Sequence, residues 1–399
     1  MTLEINQITT LFLAVAVFII GSYLNKKIPL LNKYCIPAPV VGGLLFAFTV
    51  TALKGFDLLT ITLDTSLQEL FMIAFFTTVG LGASFTLLKL GGKLLIIYWL
   101  ASIVLAIVQS VIGISFASLL NLDPLIGVML GTASMEGGHG TATAFGTTLE
   151  GMGVEGALSV GLAAATVGLI AGGVIGGPIV KYLVTKYDLK PKESDKEDNS
   201  SIVDELTGSS AITSNTFMIQ VLIISFCMAI GSYLGEFFTN LTGFGLPSYV
   251  SAMFVAVIVR NIIDLYNKEM IQMKSIGLIS DVTLSIFLSM ALMSIKLWEV
   301  ANLALPLLIV VLVQVLFIAL FTIFVVFRLL GKDYDAAVMS AGFTGHGLGA
   351  TPNAIANMEA VTSRFGPSKT AFLIVPIVGS FLIDIITVPI IITSINLFS

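Results

Sequence analysis

The chain has 399 residues, of which 56% are hydrophobic and only 11% charged, with a net charge of −5. A water-soluble domain carries roughly 25% charged residues, so this surface cannot face water on every side and the composition selects a polytopic membrane protein. The weak net charge shows no basic patch for nucleic acid, and the distant Cys35 and Cys227 offer neither a disulfide framework nor a zinc site.

The N-terminus, "MTLEINQITT", has no positive n-region, so no cleaved signal peptide is expected. Ten apolar stretches follow, at 8–24, 38–54, 68–88, 94–120, 157–183, 215–236, 248–266, 277–295, 300–328 and 371–396. Each is near the length of about 20 residues that crosses the hydrocarbon core as a helix. With the N-terminus outside, all but two of the 19 lysines and arginines fall in cytoplasmic connections, Lys54 and Lys296 being the exceptions. That bias supports both the orientation and the span count. Segment 186–212 is the only long hydrophilic stretch, and its mixed charge and serines predict a solvated cytoplasmic linker between halves 1–185 and 213–399.

The halves resemble each other. "IGSYL" at 20–24 recurs at 230–234, and Pro37 matches Pro247 at the same offset of 210. "MEGGHGTATAFG" (135–146) is matched by "FTGHGLGATPNAIANM" (343–358), and the only two histidines, His139 and His346, stand between glycines there. Three anchors in one order predict a duplication. Five spans per half force the second copy to enter inverted, the plan of many secondary transporters.

The expected fold is therefore all-α: ten transmembrane helices in two inverted five-helix repeats. Each repeat has a re-entrant hairpin between its fourth and fifth helix, at about 124–150 and 334–369. Non-helical backbone at membrane depth is tolerated only where protein or water satisfies it. Two hairpins entering from opposite faces can meet near the midplane. Broken helices there present N-terminal amides to an anion and C-terminal carbonyls to a cation, which suits a carboxylate together with Na⁺.

At these residues the chain resembles the sodium/glutamate symporter family. The likeness rests on "GTASMEGGHGTATAFG" (131–146), "GFTGHGLGATPNAIANM" (342–358) and "VPIVGSFLIDIITVPII" (375–391), and it covers essentially the whole length. The resemblance implies Na⁺-coupled uptake of L-glutamate by alternating access, a homodimer, outside termini and a bacterial inner-membrane location. Na⁺ is then the coupling ion and no other cofactor is implied. The family's Gly-Gly-X-Gly signature stands as Gly137, Gly138, His139 and Gly140, whereas Thr344 replaces the first glycine in the second copy.

The expected substrate-binding residues are Ser134, Glu136, Gly137, Gly138, His139, Gly140, Thr141, Thr143, Thr344, Gly345, His346, Gly347, Thr351, Asn353 and Asn357. Asp384, midway along the last span, is the main Na⁺ candidate because a charge at the bilayer centre is costly and usually functional. Thr143, Asn353 and Asn357 are the neutral candidates beside it. Each of these residues has a plainer reading as well: histidines that brace their loops, hydroxyls and amides that cap half-helices, and an acid that pairs with a neighbouring broken helix. Arg364 is the nearest cation for a second carboxylate, although positive-inside placement explains it without a ligand. Gln109 and Gln314 occupy similar places in spans four and nine and are read as hydrogen bonds across helices. No nucleophile–base pair, zinc ligand set or Walker loop points to an enzyme. A carrier of another carboxylate, a cation/proton antiporter and, less readily, a channel are the alternatives.

Overall fold

The computed structural model describes residues 2–33, 36–56, 58–191, 212–242, 246–267, 270–295 and 303–399. Most of the expected linker (192–211) and the first residues of the ninth span lie outside them. Eight helices are long and apolar enough to cross a membrane among the described residues. They are α1 (Gln7–Lys27), α3 (Ala38–Gly55), the part of α5 (Phe85–Leu119) that follows a kink at Gly92, α9 (Ala157–Tyr187), α10 (Ser214–Thr242), α11 (Ser248–Tyr266), α12 (Met273–Met293) and α13 (Ala304–Phe321) with its extension to Leu329. Helix α2 (Pro29–Lys33) is a short connector. Large side chains such as Phe12, Ile19, Phe226, Leu312 and Leu316 stay exposed on these helices. Apolar surface turned outward is what lipid, rather than water, accommodates.

Two expected spans take a different form. The third is α4 (Leu67–Gly82), only 16 residues long, because the chain leaves the helix at Ala83. The last is interrupted: α17 (Lys369–Ile377) passes through a π-helical turn, Val378–Leu382, into α18 (Asp384–Phe398). Pro376 removes a backbone donor just before that turn. A second π-turn, Thr322–Val326, leads from α13 into α14 (Phe327–Leu329).

The all-helical architecture carries one small addition. Strand β1 (Thr2–Ile5) pairs in parallel with β2 (Thr60–Leu63), with Thr2 opposite Thr60 and Ile5 opposite Leu63. Both strands have β-branched residues in a run too short for a helical turn to compete. The sheet staples the chain ahead of α1 to the connection between α3 and α4.

The helices sort into two groups by their packing. In the first, α3 lies against α1 and α12, and α4 lies against α11 and α12, with α10 on α11. Gly21 of α1 approaches the Ala38 and Gly42 backbone so closely that a Cβ there would sit 2.0 Å from Ala38 O. Gly231 of α10 makes the matching approach to Ala252, where a Cβ would sit 2.3 Å from Cα. Pro37 and Pro247 open the facing helices with nearly equal φ and ψ. Residues at the sequence offset of 210 thus do the same packing work twice.

The second group holds α5, α9, α13 and the last interrupted helix around two helical hairpins. The first hairpin runs from α6 (Pro124–Met129) through α7 (Thr132–Met135) and back along α8 (Gly138–Gly151). The second runs down α15 (Tyr334–Gly347) and back along α16 (Thr351–Phe365). Helix α15 is buried along its whole length. The two groups meet on apolar and aromatic surface, where Phe145 of α8 stands edge-on to Tyr249 of α11 and Gly140 lies under Phe75 and Leu284.

Candidate functional site

The two Gly-His-Gly segments come together at the hairpin tips. Gly138 has φ +63°, and a Cβ added there would lie 2.6 Å from the Gly349 carbonyl oxygen. Only glycine tolerates both the left-handed backbone and so near an opposing carbonyl. The tips are therefore in contact, one from each half of the chain.

Capping separates the outer and inner ends of the hairpins. At the outer ends Asp123 accepts from the Leu125 amide and Asp333 accepts from the Ala336 amide. These caps stand at the offset of 210 already seen in the first helix group. At the tips, α8 and α16 start with no side-chain cap, at Gly137 and Ala350. Two helix N-termini without side-chain caps, each the positive end of its helix, open beside the point where the tips touch; in α16 the Asn353 and Ala354 amides already reach Ala350 O. Pro352 fits the first turn of α16, where its missing N–H has no partner to lose. The carboxyl-terminal ends of α7 and α15 reach the same place and bring the opposite dipole ends.

Acidic groups complete this arrangement. Glu136, 4% exposed, accepts from the Thr132 hydroxyl at 3.4 Å through Oε2. Its Oε1 lies 3.5 Å from His346 Nε2 of the other hairpin. His346 Nδ1 is in turn 3.2 Å from the Tyr98 hydroxyl of α5. Asp384 opens α18, just after the π-turn Val378–Leu382. Thr351 at the second tip faces Gly379 in the π-turn, whose added Cβ would be 2.8 Å from the Thr351 hydroxyl oxygen. Among the described residues no lysine or arginine ion-pairs with Glu136 or Asp384. A buried charge such as Glu136, with only a histidine beside it, is costly unless a cation or proton joins it.

The other expected residues divide by what their polar atoms already do. His139 meets the Thr166 hydroxyl at 3.0 Å, so its ring turns towards α9 and not towards the opposite tip. Thr143 donates to His139 O and Thr344 to Ser340 O, both within their own helices. Ser134 donates to Met129 O across the α6–α7 break. Thr141 is buried in the first turn of α8 against Gly137, and Gly345 packs on Ala354 of the returning arm. Asn353 donates to Leu169 O at 3.0 Å, and Asn357 donates to Gly172 O at 3.0 Å. These amides enter α9 where glycines leave room: Gly172 and Gly176 face Asn353 and Asn357 respectively, whereas Gly177 faces open space. The N–H₂ groups of both asparagines are thus spent on clasping α16 to α9, which leaves only their oxygens for a ligand.

Gln109 and Gln314, both fully buried, take up the carbonyls that the hairpin breaks leave over. Gln109 of α5 donates to Gly347 O at 2.7 Å, at the end of α15. Gln314 of α13 donates to Leu130 O at 3.1 Å, where α6 ends, and to Gln109 O at 2.8 Å. Each glutamine serves the hairpin of the opposite half, and its own Oε1 has no hydrogen-bond partner. Trp99 does the same for the π-turn by donating to Leu382 O at 2.9 Å. Such partners are what make broken helices tolerable away from water.

Arg364 lies elsewhere. It ends α16, thirteen residues beyond Thr351, which at 1.5 Å per residue is roughly 20 Å from the tip. With Lys181 and Lys186 it lines an open cavity of about 790 Å³, remote from the tips. Residues that sequence reading left out are Tyr98, Trp99 and Thr166. "IIYWLA" reads as an ordinary aromatic patch in an apolar span, and nothing in it marks a hydroxyl that serves a histidine 248 positions away.

Comparison with known proteins places this geometry in a family. The model of the sodium/glutamate symporter family matches residues 3–367. The sodium/glutamate symporter of Escherichia coli (strain K12) is 41% identical over 385 residues, which is 96% of each chain. That of Haemophilus influenzae is 42% identical over 389 residues, or 97% of this chain and 96% of the relative. A solved sodium proton antiporter from Methanocaldococcus jannaschii covers 98% of each chain at 16% identity with a TM-score of 0.45. A likeness that low says nothing of fold or activity here. The family match and the two relatives agree over nearly the full length, and the chain belongs to the sodium/glutamate symporter family.

Proposed function

We propose that the chain carries out Na⁺-coupled symport of L-glutamate, with the meeting hairpin tips as its transport site. Family membership gives the activity, and the observation that carries the location is the pair of helix N-termini without side-chain caps beside acids that no lysine or arginine pairs among the described residues. The starts of α8 and α16 suit the carboxylates of the substrate, since each is the positive end of a helix of at least 14 residues and carries no side-chain cap. Glu136 and Asp384 suit the cationic partners, which are the substrate ammonium and Na⁺. The carbonyl ends of α7 and α15 and the unpartnered oxygens of Gln109 and Gln314 add neutral ligands for the ion. Of the neutral Na⁺ candidates, Thr143 already donates within its helix, and Asn353 and Asn357 act first as braces. Asp384 therefore carries the greater share of that role.

The hairpins are re-entrant in this reading, entering from opposite faces between the fourth and fifth spans of two inverted repeats. Ten spans follow when α4 and the interrupted final helix are counted with the eight long ones. The paired packing at Gly21 and Gly231, and the paired caps at Asp123 and Asp333, support the repeat. The first helix group serves as a scaffold against which the hairpin group moves, the apolar surface around Phe75, Phe145 and Tyr249 being the sliding contact. Outside termini, an inner-membrane location and a homodimer belong to the same proposal.

Uptake into proteoliposomes tests it. Accumulation of L-glutamate is expected to require an inward Na⁺ gradient and to be competed by glutamate more strongly than by hydroxycarboxylates. Uptake that persists without Na⁺ and collapses with the proton gradient would assign the chain to proton-coupled transport instead.

A further inference from the structure

Building on the reading that the tips form the transport site, we infer that Tyr98 is a positioning residue for it. Tyr98 fixes the tautomer of His346, so that the second hairpin presents an N–H to Glu136 of the first.

Tyr98 is fully buried, and its hydroxyl lies 3.2 Å from His346 Nδ1. The tyrosine ring also stacks on the imidazole at a centroid distance of 5.9 Å and meets Phe343 edge-on at 5.4 Å. His346, 1% exposed, has its other nitrogen 3.5 Å from Glu136 Oε1, and neither of those two atoms has a hydrogen-bond partner elsewhere. A neutral imidazole carries one N–H and one bare nitrogen. If Nδ1 held the proton, it would donate to the phenol oxygen, and the phenol proton would be buried without an acceptor. A bare Nε2 would then face a carboxylate oxygen, lone pair against lone pair. With the phenol donating to Nδ1, every proton has an acceptor and Nε2–H points at Glu136. Buried polar groups are satisfied in native structures, which selects the second arrangement.

The resulting chain runs from the Tyr98 hydroxyl through His346 to Glu136, and Glu136 receives the Thr132 hydroxyl on its other oxygen. It ties α5 and both tips into one unit. Glu136 is thereby held as an oriented acid at the point where the two tips meet. Tyr98 touches neither ion nor substrate and acts only through His346.

The chain's two histidines make the tautomer directly measurable. Full-length protein labelled with ¹⁵N-histidine and held in lipid nanodiscs gives two imidazole signals, and the His139→Gln variant assigns them. The expected wild-type spectrum shows His346 with a protonated Nε2 and a bare Nδ1. A protonated Nδ1 overturns the inference whatever the variants do. In Tyr98→Phe, which keeps the ring contacts, the two tautomers are expected to mix. The Na⁺ concentration for half-maximal uptake should rise by about two- to tenfold, the range of one lost hydrogen bond. The glutamate KM at saturating Na⁺ should move less.

The variant His346→Gln supplies an amide N–H near the Nε2 position that needs no phenol behind it. In that background Tyr98→Phe should have no further effect on Na⁺ activation. An equal effect in both backgrounds means that Tyr98 acts by packing alone and overturns the positioning role. Wild-type uptake that needs no Na⁺ would remove the Na⁺-coupling reading, while the wild-type spectrum would still decide the tautomer.

Discussion

The first hairpin breaks before its histidine, whereas the second breaks after it. In the first, Glu136 and Gly137 leave the helix and His139 lies in the opening turn of the outgoing arm, α8. In the second, the incoming arm α15 continues through Gly345, His346 and Gly347, and the break comes at 348–350. Matched residues thus sit on opposite arms of their hairpins. Thr344 stands where the first copy has Gly137, and its hydroxyl donates to Ser340 O inside an unbroken helix. With a helix-compatible side chain there, the break moves downstream to Gly349, and Pro352 opens the next helix. One histidine therefore turns sideways to Thr166, and the other reaches across to Glu136. Two similar segments thus form tips with different contacts, which suits a carrier that must bind two unlike solutes at one place.

The sharpest way to break this comparison is Gly138→Ala. The left-handed conformation costs about 1–2 kcal/mol for a residue with a Cβ, and the added carbon would stand 2.6 Å from Gly349 O. The tips cannot then meet as they do. Uptake is expected to fall by more than about tenfold, since even 1.4 kcal/mol is a factor of ten, while the purified protein keeps most of its helical content. Gly140→Ala serves as the control, because its nearest neighbour would be Phe75 at 3.4 Å, an aromatic edge that can shift. Wild-type uptake by Gly138→Ala would show that contact between the tips is not needed for transport.

Much of this architecture is legible in the residues themselves. The apolar runs of about 20 residues mark most of the long apolar helices, and "IGSYL" with its proline marks two places where Gly21 and Gly231 make the same close approach to a facing helix. The Gly-His-Gly segments mark the tips. Three features were hidden for physical reasons. Where a helix breaks depends on small differences such as Thr344 for glycine, and glycines permit a break without dictating it. Tyr98 is ordinary by type and becomes informative only through a contact between residues far apart in sequence. Asn353 and Asn357 look like ion ligands by chemistry, yet the glycines of α9 turn them into braces, a fact that only packing can reveal.

That last point is open to a direct test with an intermediate expected effect. Asn357→Asp keeps the side-chain oxygen that a Na⁺ site would use, adds a second, and removes the N–H₂ that reaches Gly172 O. If the side chain is chiefly a brace, the variant leaves a buried carbonyl unpaired and sets a carboxylate against it, at a cost of about 1–3 kcal/mol. Its thermal stability should drop while Na⁺ activation stays near wild type. Gly176→Ala should act in the same direction, since its Cβ would fall 2.3 Å from Asn357 Nδ2, whereas Gly177→Ala has open space and should be silent. Tighter Na⁺ activation in Asn357→Asp, with stability unchanged, would return this residue to the ion site.

The smallest effect probes what the hairpins still share. Asp123 and Asp333 cap the outer helix starts at the same repeat offset, far from the tips. Loss of an N-cap acid typically costs about 1 kcal/mol. Asp123→Ala and Asp333→Ala should each lower stability by that amount, with Asp333 towards the higher end because it makes a further contact. Neither should change Na⁺ or glutamate half-saturation. Thermal unfolding beside uptake kinetics measures both quantities. Near-equal costs at the caps, against unequal costs at matched tip residues, would locate the divergence of the two halves at the tips. A kinetic change in either cap variant would mean that the outer ends of the hairpins move during the cycle, and that the scaffold they share is not passive.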